Sequence, residues 1–171
     1  KPDVIIDVGT VNPTYASLAD KVQAQTGIPY VLVDGAFART GVMLRETGAI
    51  LGVEARAETL AAYADEELAA LEKGLAEIPA DKRPSVYYGR GAEGLETGLS
   101  GSINMEILEA AGARNAAAAA GKGGLTQVSL EQVLSWKPDV ILAASPKFAK
   151  AVKSDPLWAG LNAVKAGRVH M

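Results

Sequence analysis

The run Tyr87-Tyr88-Gly89-Arg90, followed by Thr97, Ser100, Ser102 and Asn104, gathers aromatic, cationic, hydroxyl and amide groups within a short stretch. These groups suit recognition more than bond breaking. A guanidinium offers a fork of N–H donors to an anion, and hydroxyls and backbone N–H groups complete such a site. A second group, Gly9, Thr10, Asn12 and Pro13, likewise follows directly on an apolar run, Val4-Ile5-Ile6-Asp7-Val8. In open α/β sheets ligands bind beyond the carboxyl ends of the strands, where both groups would fall.

Other chemistries lack their residues. The chain has no cysteine and one histidine, His170. That removes disulfides, thiolate metal sites, a Cys nucleophile and any site needing two imidazoles. The carboxylate pairs Glu66/Glu67 and Glu106/Glu109 lie within helical patterns instead of converging from separate elements, as hydrolysis would need. Gly89-Arg90-Gly91-Ala92-Glu93-Gly94 matches G-x-G-x-x-G, with Glu109 downstream. A dinucleotide site requires a helix to open within the glycines, whereas Gly98, Ser100 and Gly101 prolong the loop. Gly121-Lys122-Gly123 lacks the residues of a phosphate loop. A net charge of −3 argues against nucleic acid. The apolar run Ala116–Ala120 is broken by Gly121, far short of the ~20 residues of a membrane helix.

The elements that must hold these residues alternate. Val4–Val8 reads as a buried strand, Pro13–Thr26 as a helix stopped by Gly27, and Tyr30–Val33 as a second, parallel strand. Phe37–Leu51 reads as a helix ended by Gly52. From Glu54 to Ile78 one continuous helix is predicted, because Leu60, Ala64, Leu68, Leu71, Leu75 and Ile78 recur at three- and four-residue steps. Ser85–Tyr88 is the next strand, Gly89–Gly101 a loop, and Ser102 the cap of a helix to Ala111 with Glu106 exposed on it. Ser129-Leu130-Glu131-Gln132 is a capping box opening a helix to Trp136, and Val140–Ala143 is a strand.

Lys1-Pro2-Asp3-Val4-Ile5-Ile6 returns as Lys137-Pro138-Asp139-Val140-Ile141-Leu142. The repeated helix-to-strand entry suggests two similar lobes. The expected division is a partial N-terminal lobe at 1–53, an interlobe helix at 54–78 and a C-terminal lobe at 79–171. The chain opens without Met and stops at Arg168-Val169-His170-Met171 as a strand begins, so a longer protein is expected, with the first lobe incomplete.

The segment Ser129-Leu130-Glu131-Gln132-Val133-Leu134, leading into Lys137-Pro138-Asp139-Val140-Ile141-Leu142, resembles one found in periplasmic substrate-binding proteins. These serve ABC importers of iron–siderophore complexes, haem and cobalamin. Asn104-Met105-Glu106-Ile107-Leu108 with Gly112-Ala113-Arg114-Asn115-Ala116 is similar to a second motif of the family. So are Asp155-Pro156-Leu157-Trp158 through Gly167-Arg168-Val169, and Gly48 with Leu51-Gly52. The resemblance implies two Rossmann-like lobes with parallel sheets, joined by one long helix: the class III periplasmic-binding-protein arrangement. It implies a non-enzymatic protein, periplasmic or otherwise extracytoplasmic, without a cofactor and monomeric at full length. Its partners would be a small-molecule ligand and a membrane permease, and Glu106 matches the family's permease-docking position.

The leading expectation is capture of a chelated metal complex, with Tyr87, Tyr88, Arg90, Ser100, Ser102, Thr10 and Pro13 as ligand-binding residues. Arg90 would face the complex's negative charge. A molybdate-like oxyanion held by Ser100, Ser102 and backbone N–H groups is the alternative. A nucleotide-cofactor enzyme is a further one, resting on the glycine pattern alone.

Overall fold

The computed structural model describes residues 1–171, which fall into two compact units, 1–72 and 73–171. In unit 1, β1 (Ile5–Gly9) and β2 (Tyr30–Asp34) pair in parallel from Ile5 opposite Tyr30 to Gly9 opposite Asp34. The connection between them is α1 (Pro13–Thr26), so this is a βαβ unit. Asn12 caps α1 by accepting from the Tyr15 amide at 3.0 Å, and Pro13 occupies the first turn, where its missing N–H costs nothing. Next come α2 (Thr40–Leu51) and the long α3 (Glu54–Leu75), which runs past the division between the units.

The observed α3 ends three residues before the expected Ile78, and its packing differs from its apolar stripe. Its buried residues are Ala57 and Ala61, whereas Leu60 and Ile78 are exposed. The cause is close helix approach. Gly48 of α2 lies so near Ala57 that a Cβ there would overlap the alanine methyl. Small residues on both helices therefore take the contact that the leucines were expected to make. Arg45 adds a polar clamp, with Nε and Nη2 on Glu58 at 2.7 and 2.9 Å and Nη1 on Asp65 at 2.8 Å. Ala64, Leu68 and Leu71 instead line a groove of about 340 Å³ together with Phe37, Thr40, Tyr63 and Glu67.

Unit 2 is built on a four-stranded parallel sheet in the order β5-β3-β7-β8. Its strands are β3 (Ser85–Gly89), β5 (Arg114–Asn115), β7 (Val140–Ala143) and β8 (Val169–His170). The segment expected to be one loop contains β4 (Glu96–Gly98), paired antiparallel with β6 (Leu125–Gln127). The helices are α4 (Ile103–Ala110), α5 (Leu130–Trp136), α6 (Pro146–Ser154) and α7 (Asn162–Lys165). The capping box of α5 is present, Ser129 and Gln132 bonding each other's backbone amides at 3.3 and 2.8 Å.

The Lys-Pro-Asp entry to β7 has a visible purpose. Lys137 takes a left-handed conformation at φ 49°, Pro138 is buried, and Asp139 accepts the Ser85 amide at 2.8 Å. One side chain thus fixes β7 beside β3. The core collects Tyr87, Val133, Ile141, Phe148, Val152, Trp158 and Leu161. Phe148 and Trp158 pack edge to face with ring centres 5.0 Å apart, a geometry worth about 1 kcal/mol beyond area burial.

Candidate functional site

From β3 the chain crosses to β5 on one side of the sheet; from β7 it continues to β8 on the other. The connections leaving β3 and β7 therefore diverge, which makes their carboxyl ends the topological switch point, where open α/β sheets bind ligands. Gly89 pairs with Ala143 there, so the segments after each strand start side by side. The Ala144 amide bonds the Gly89 carbonyl at 2.9 Å, and Ser145 Oγ donates to the Gly91 carbonyl at 2.9 Å. Ser145 also caps α6 by accepting the Phe148 amide at 3.2 Å. The amino-terminal end of α6, with its partial positive charge, thus lies beside the segment that begins at Arg90.

Arg90 is held by backbone and side chain together. It closes a hairpin with Glu96: the Arg90 amide donates to the Glu96 carbonyl at 2.7 Å, and the return bond is 3.4 Å. Its Nη1 donates to Asn104 Oδ1, while Nε lies 3.7 Å from Glu96 Oε2. Asn104 Nδ2 donates to Ser102 Oγ at 3.3 Å, which orients the amide so that its oxygen faces the guanidinium. The side chains of Arg90 and Glu96 are each 32% exposed, so a cation held on a rigid frame still reaches solvent.

The expected residues part company here. Tyr88 is half-buried in β3, and Ser100 is half-buried in the loop that joins the hairpin to α4. Tyr87 is a correction. Successive strand residues face opposite sides of the sheet, and Tyr87 faces the core, fully buried, with Oη donating to the Gly94 carbonyl at 2.6 Å. Burial pushes its hydroxyl well above the ordinary value of 10. Ser102 is a second correction. Only 1% exposed, its hydroxyl accepts the Asn104 amide as the α4 cap, so it supports Arg90's partner instead of offering itself to a ligand. In unit 1, Thr10 after β1 and Pro13 in the first turn of α1 are exposed.

Glu106, expected to be exposed on this helix, is half-buried in α4, where Met105 is fully buried and Ile103 and Ile107 are exposed. Partial burial and, second, the charge of Glu106 raise the Glu109 carboxyl above its ordinary value. Gly98 explains the inward turn of Met105, because its missing Cβ leaves the space that the Met105 side chain fills.

Sequence reasoning placed Asn104 in the loop chemistry but left it out of the binding set, and it passed over Glu96 and the amino-terminal end of α6. The signal for the α6 end was available: Ser145-Pro146 after a strand marks a helix start at the same sheet edge as Arg90. No comparable signal marks Glu96, whose position depends on the hairpin.

A family model for periplasmic binding proteins matches residues 1–171. The chain belongs to that family. Such proteins are the substrate-binding components of ABC transporters, and the two-lobed α/β class of the chain agrees with membership. Molybdate-binding protein MolA of Haemophilus influenzae is 39% identical over 113 residues, covering 65% of this chain and 31% of that protein. The uncharacterised substrate-binding lipoprotein YvrC of Bacillus subtilis is 27% identical over 99% of this chain and 54% of its own length. Among solved structures, an ABC transporter solute-binding protein from Sulfurospirillum deleyianum superposes with TM-score 0.88 at 33% identity, covering 99% of this chain and 53% of that one. Molybdate-bound MolA gives TM-score 0.79 at 26% identity, covering 99% and 57%. The chain spans about half, or less, of the length of these relatives. No helix is long and apolar enough to cross a membrane.

Proposed function

We propose that this chain is the ligand-capturing part of an ABC importer's substrate-binding protein, working outside the cytoplasm, and that it takes a compact anion at the carboxyl ends of β3 and β7. Arg90 carries the reading: a partly exposed side chain, its guanidinium fixed by Asn104, stands at the switch point of the sheet. Charge distribution supports it. Residues 73–171 hold twelve Lys and Arg against nine Asp and Glu, an excess of cations within a chain that is acidic overall. Tyr88, Ser100 and the α6 amino terminus are the neighbouring groups of the same unit.

Two ligand classes share this chemistry. The MolA relative favours a tetrahedral oxyanion of the molybdate type. An anionic chelated metal, such as a ferric siderophore or haem, is the second reading, favoured by the aromatic Tyr88 at the same edge. Calorimetric titration of the full-length protein with molybdate, tungstate, ferric catecholate complexes and haem separates them. Arg90→Gln is expected to weaken the bound class at least tenfold, the scale of a lost charge-assisted hydrogen bond of about 1.5–3 kcal/mol. Full affinity in that variant removes Arg90 from the site. The absence of binding by every probe overturns the anion reading.

Delivery rests on Glu106, the carboxylate proposed to meet arginines of the permease. Being half-buried in α4, it is held in place more firmly than a free surface glutamate. In the full-length protein Glu106→Arg is expected to abolish uptake while ligand affinity holds; normal uptake sinks the docking role.

A further inference from the structure

Arg90 does not face solvent alone. The same hairpin that fixes its backbone brings Glu96 directly opposite, and cross-strand partners in an antiparallel pair project to the same side. Glu96 Oε2 lies 3.7 Å from Arg90 Nε, while Nη1 is already engaged by Asn104. Of the five N–H donors of a guanidinium, those on the Nε edge therefore face a carboxylate. An anion arriving at Arg90 meets a cation already attended by a negative group of its own chain. Both backbones are locked by the hairpin bonds, so Glu96 can swing its side chain but cannot leave the site.

We propose that Glu96 is a specificity-determining residue of this site, a built-in competitor that limits affinity for anions in proportion to their charge. The inference rests on the anion-binding reading of Arg90. Its physical content is simple. The carboxylate competes with the ligand for the guanidinium and, once displaced, remains within a few ångströms of it. Its repulsion of the ligand scales with the ligand's charge, so a dianion is held back more than a monoanion of the same shape. Such a carboxylate keeps a strongly charged ligand exchangeable, as a protein that must surrender its cargo requires. A Glu96 that served only to shape the hairpin would affect both ligands alike.

Molybdate and perrhenate, tetrahedral anions of charge −2 and −1, make the discriminating pair, with ferric tris(catecholate) as a third, more highly charged probe. Each is titrated into the full-length wild type and Glu96→Gln, which keeps the side chain's size and leaves the backbone pairing in place. Glu96→Ser serves as a second variant should the first lose its fold. The expected gains on neutralising Glu96 are about threefold for perrhenate and about tenfold for molybdate, the second exceeding the first because the Coulomb term doubles. If the oxyanions do not bind and the ferric complex does, that complex should gain at least tenfold. Equal gains for the two oxyanions, or no gain for a probe that the wild type binds, overturn the competitor role while leaving the anion-binding reading intact. Binding of no probe by either protein overturns the reading itself, and the inference with it.

Discussion

Tyr87 Oη donates to the carbonyl of Gly94 at 2.6 Å, tying the core side of β3 to the hairpin that carries Arg90. The bond is buried, and the hydroxyl's proton is held more tightly in the folded protein than in the unfolded chain, because burial disfavours the phenolate. Stability from this group is complete below the ordinary tyrosine value of 10 and is lost as pH rises beyond it, since only the unfolded chain then releases the proton readily. Tyr87→Phe is expected to cost about 1–3 kcal/mol at neutral pH by stranding the Gly94 carbonyl. It should also flatten the alkaline limb of a urea-unfolding series between about pH 9 and 11. An alkaline limb as steep as the wild type's would show that another group drives it.

Gly94 itself admits no side chain. Its φ is +71°, and a Cβ there would overlap the ring of Phe148, a core residue with no room to retreat. Gly94→Ala therefore combines overpacking, about 1–3 kcal/mol, with about 1 kcal/mol of left-handed strain. Denaturant midpoints should fall accordingly, and a loss below about 0.5 kcal/mol would mean that the hairpin tip repositions freely.

Thr97, in β4 next to Glu96, is fully buried, and its Oγ1 has no hydrogen-bond partner. A hydroxyl left unsatisfied is less favourable than a methyl of the same shape. Thr97→Val is expected to stabilise the protein by about 1 kcal/mol, read as a higher urea midpoint at constant slope. Destabilisation would mean that the hydroxyl has a partner in solution.

Glu109 offers a test of opposite sign to that of a paired carboxylate. Its raised value means that the folded state favours the protonated form, so stability present below about pH 4.5 declines as pH rises through the folded-state value. Glu109→Gln should stabilise the protein at pH 7, by less than about 1 kcal/mol given partial solvent screening, and leave it unchanged near pH 3. Equal effects at both pH values would exclude the charge as the cause.

The placement of the elements was legible because their signals are local. Asn12-Pro13 and Ser129 through Gln132 cap helices by bonds within one turn, and Gly27 and Gly52 end helices by taking left-handed backbone. The Lys-Pro-Asp entry marked a strand start for the same reason, although its long-range bond to Ser85 could not be read from spacing. Arg90 was found because it directly follows a strand of an alternating βα chain, and the sheet rule then puts it at a ligand edge.

What only the tertiary structure decided is which neighbour each side chain meets. Tyr87 and Tyr88 are adjacent and chemically identical, yet the pleat sends Tyr87 among Trp136 and Trp158 and leaves Tyr88 half-buried. The leucine stripe of α3 is a sound helical pattern, but the close approach of Gly48 to Ala57 selected a different face for burial. Ile107 lies exposed while Met105 is enclosed because Gly98, seven residues upstream of Met105, leaves room for its side chain. Glu96 reads as an ordinary loop carboxylate until the Arg90 hairpin closes and sets the two charges face to face. Periodicity and capping act over one turn of backbone and are written in sequence; pairings of charge with charge and ring with ring depend on distances that exist only once the chain has folded.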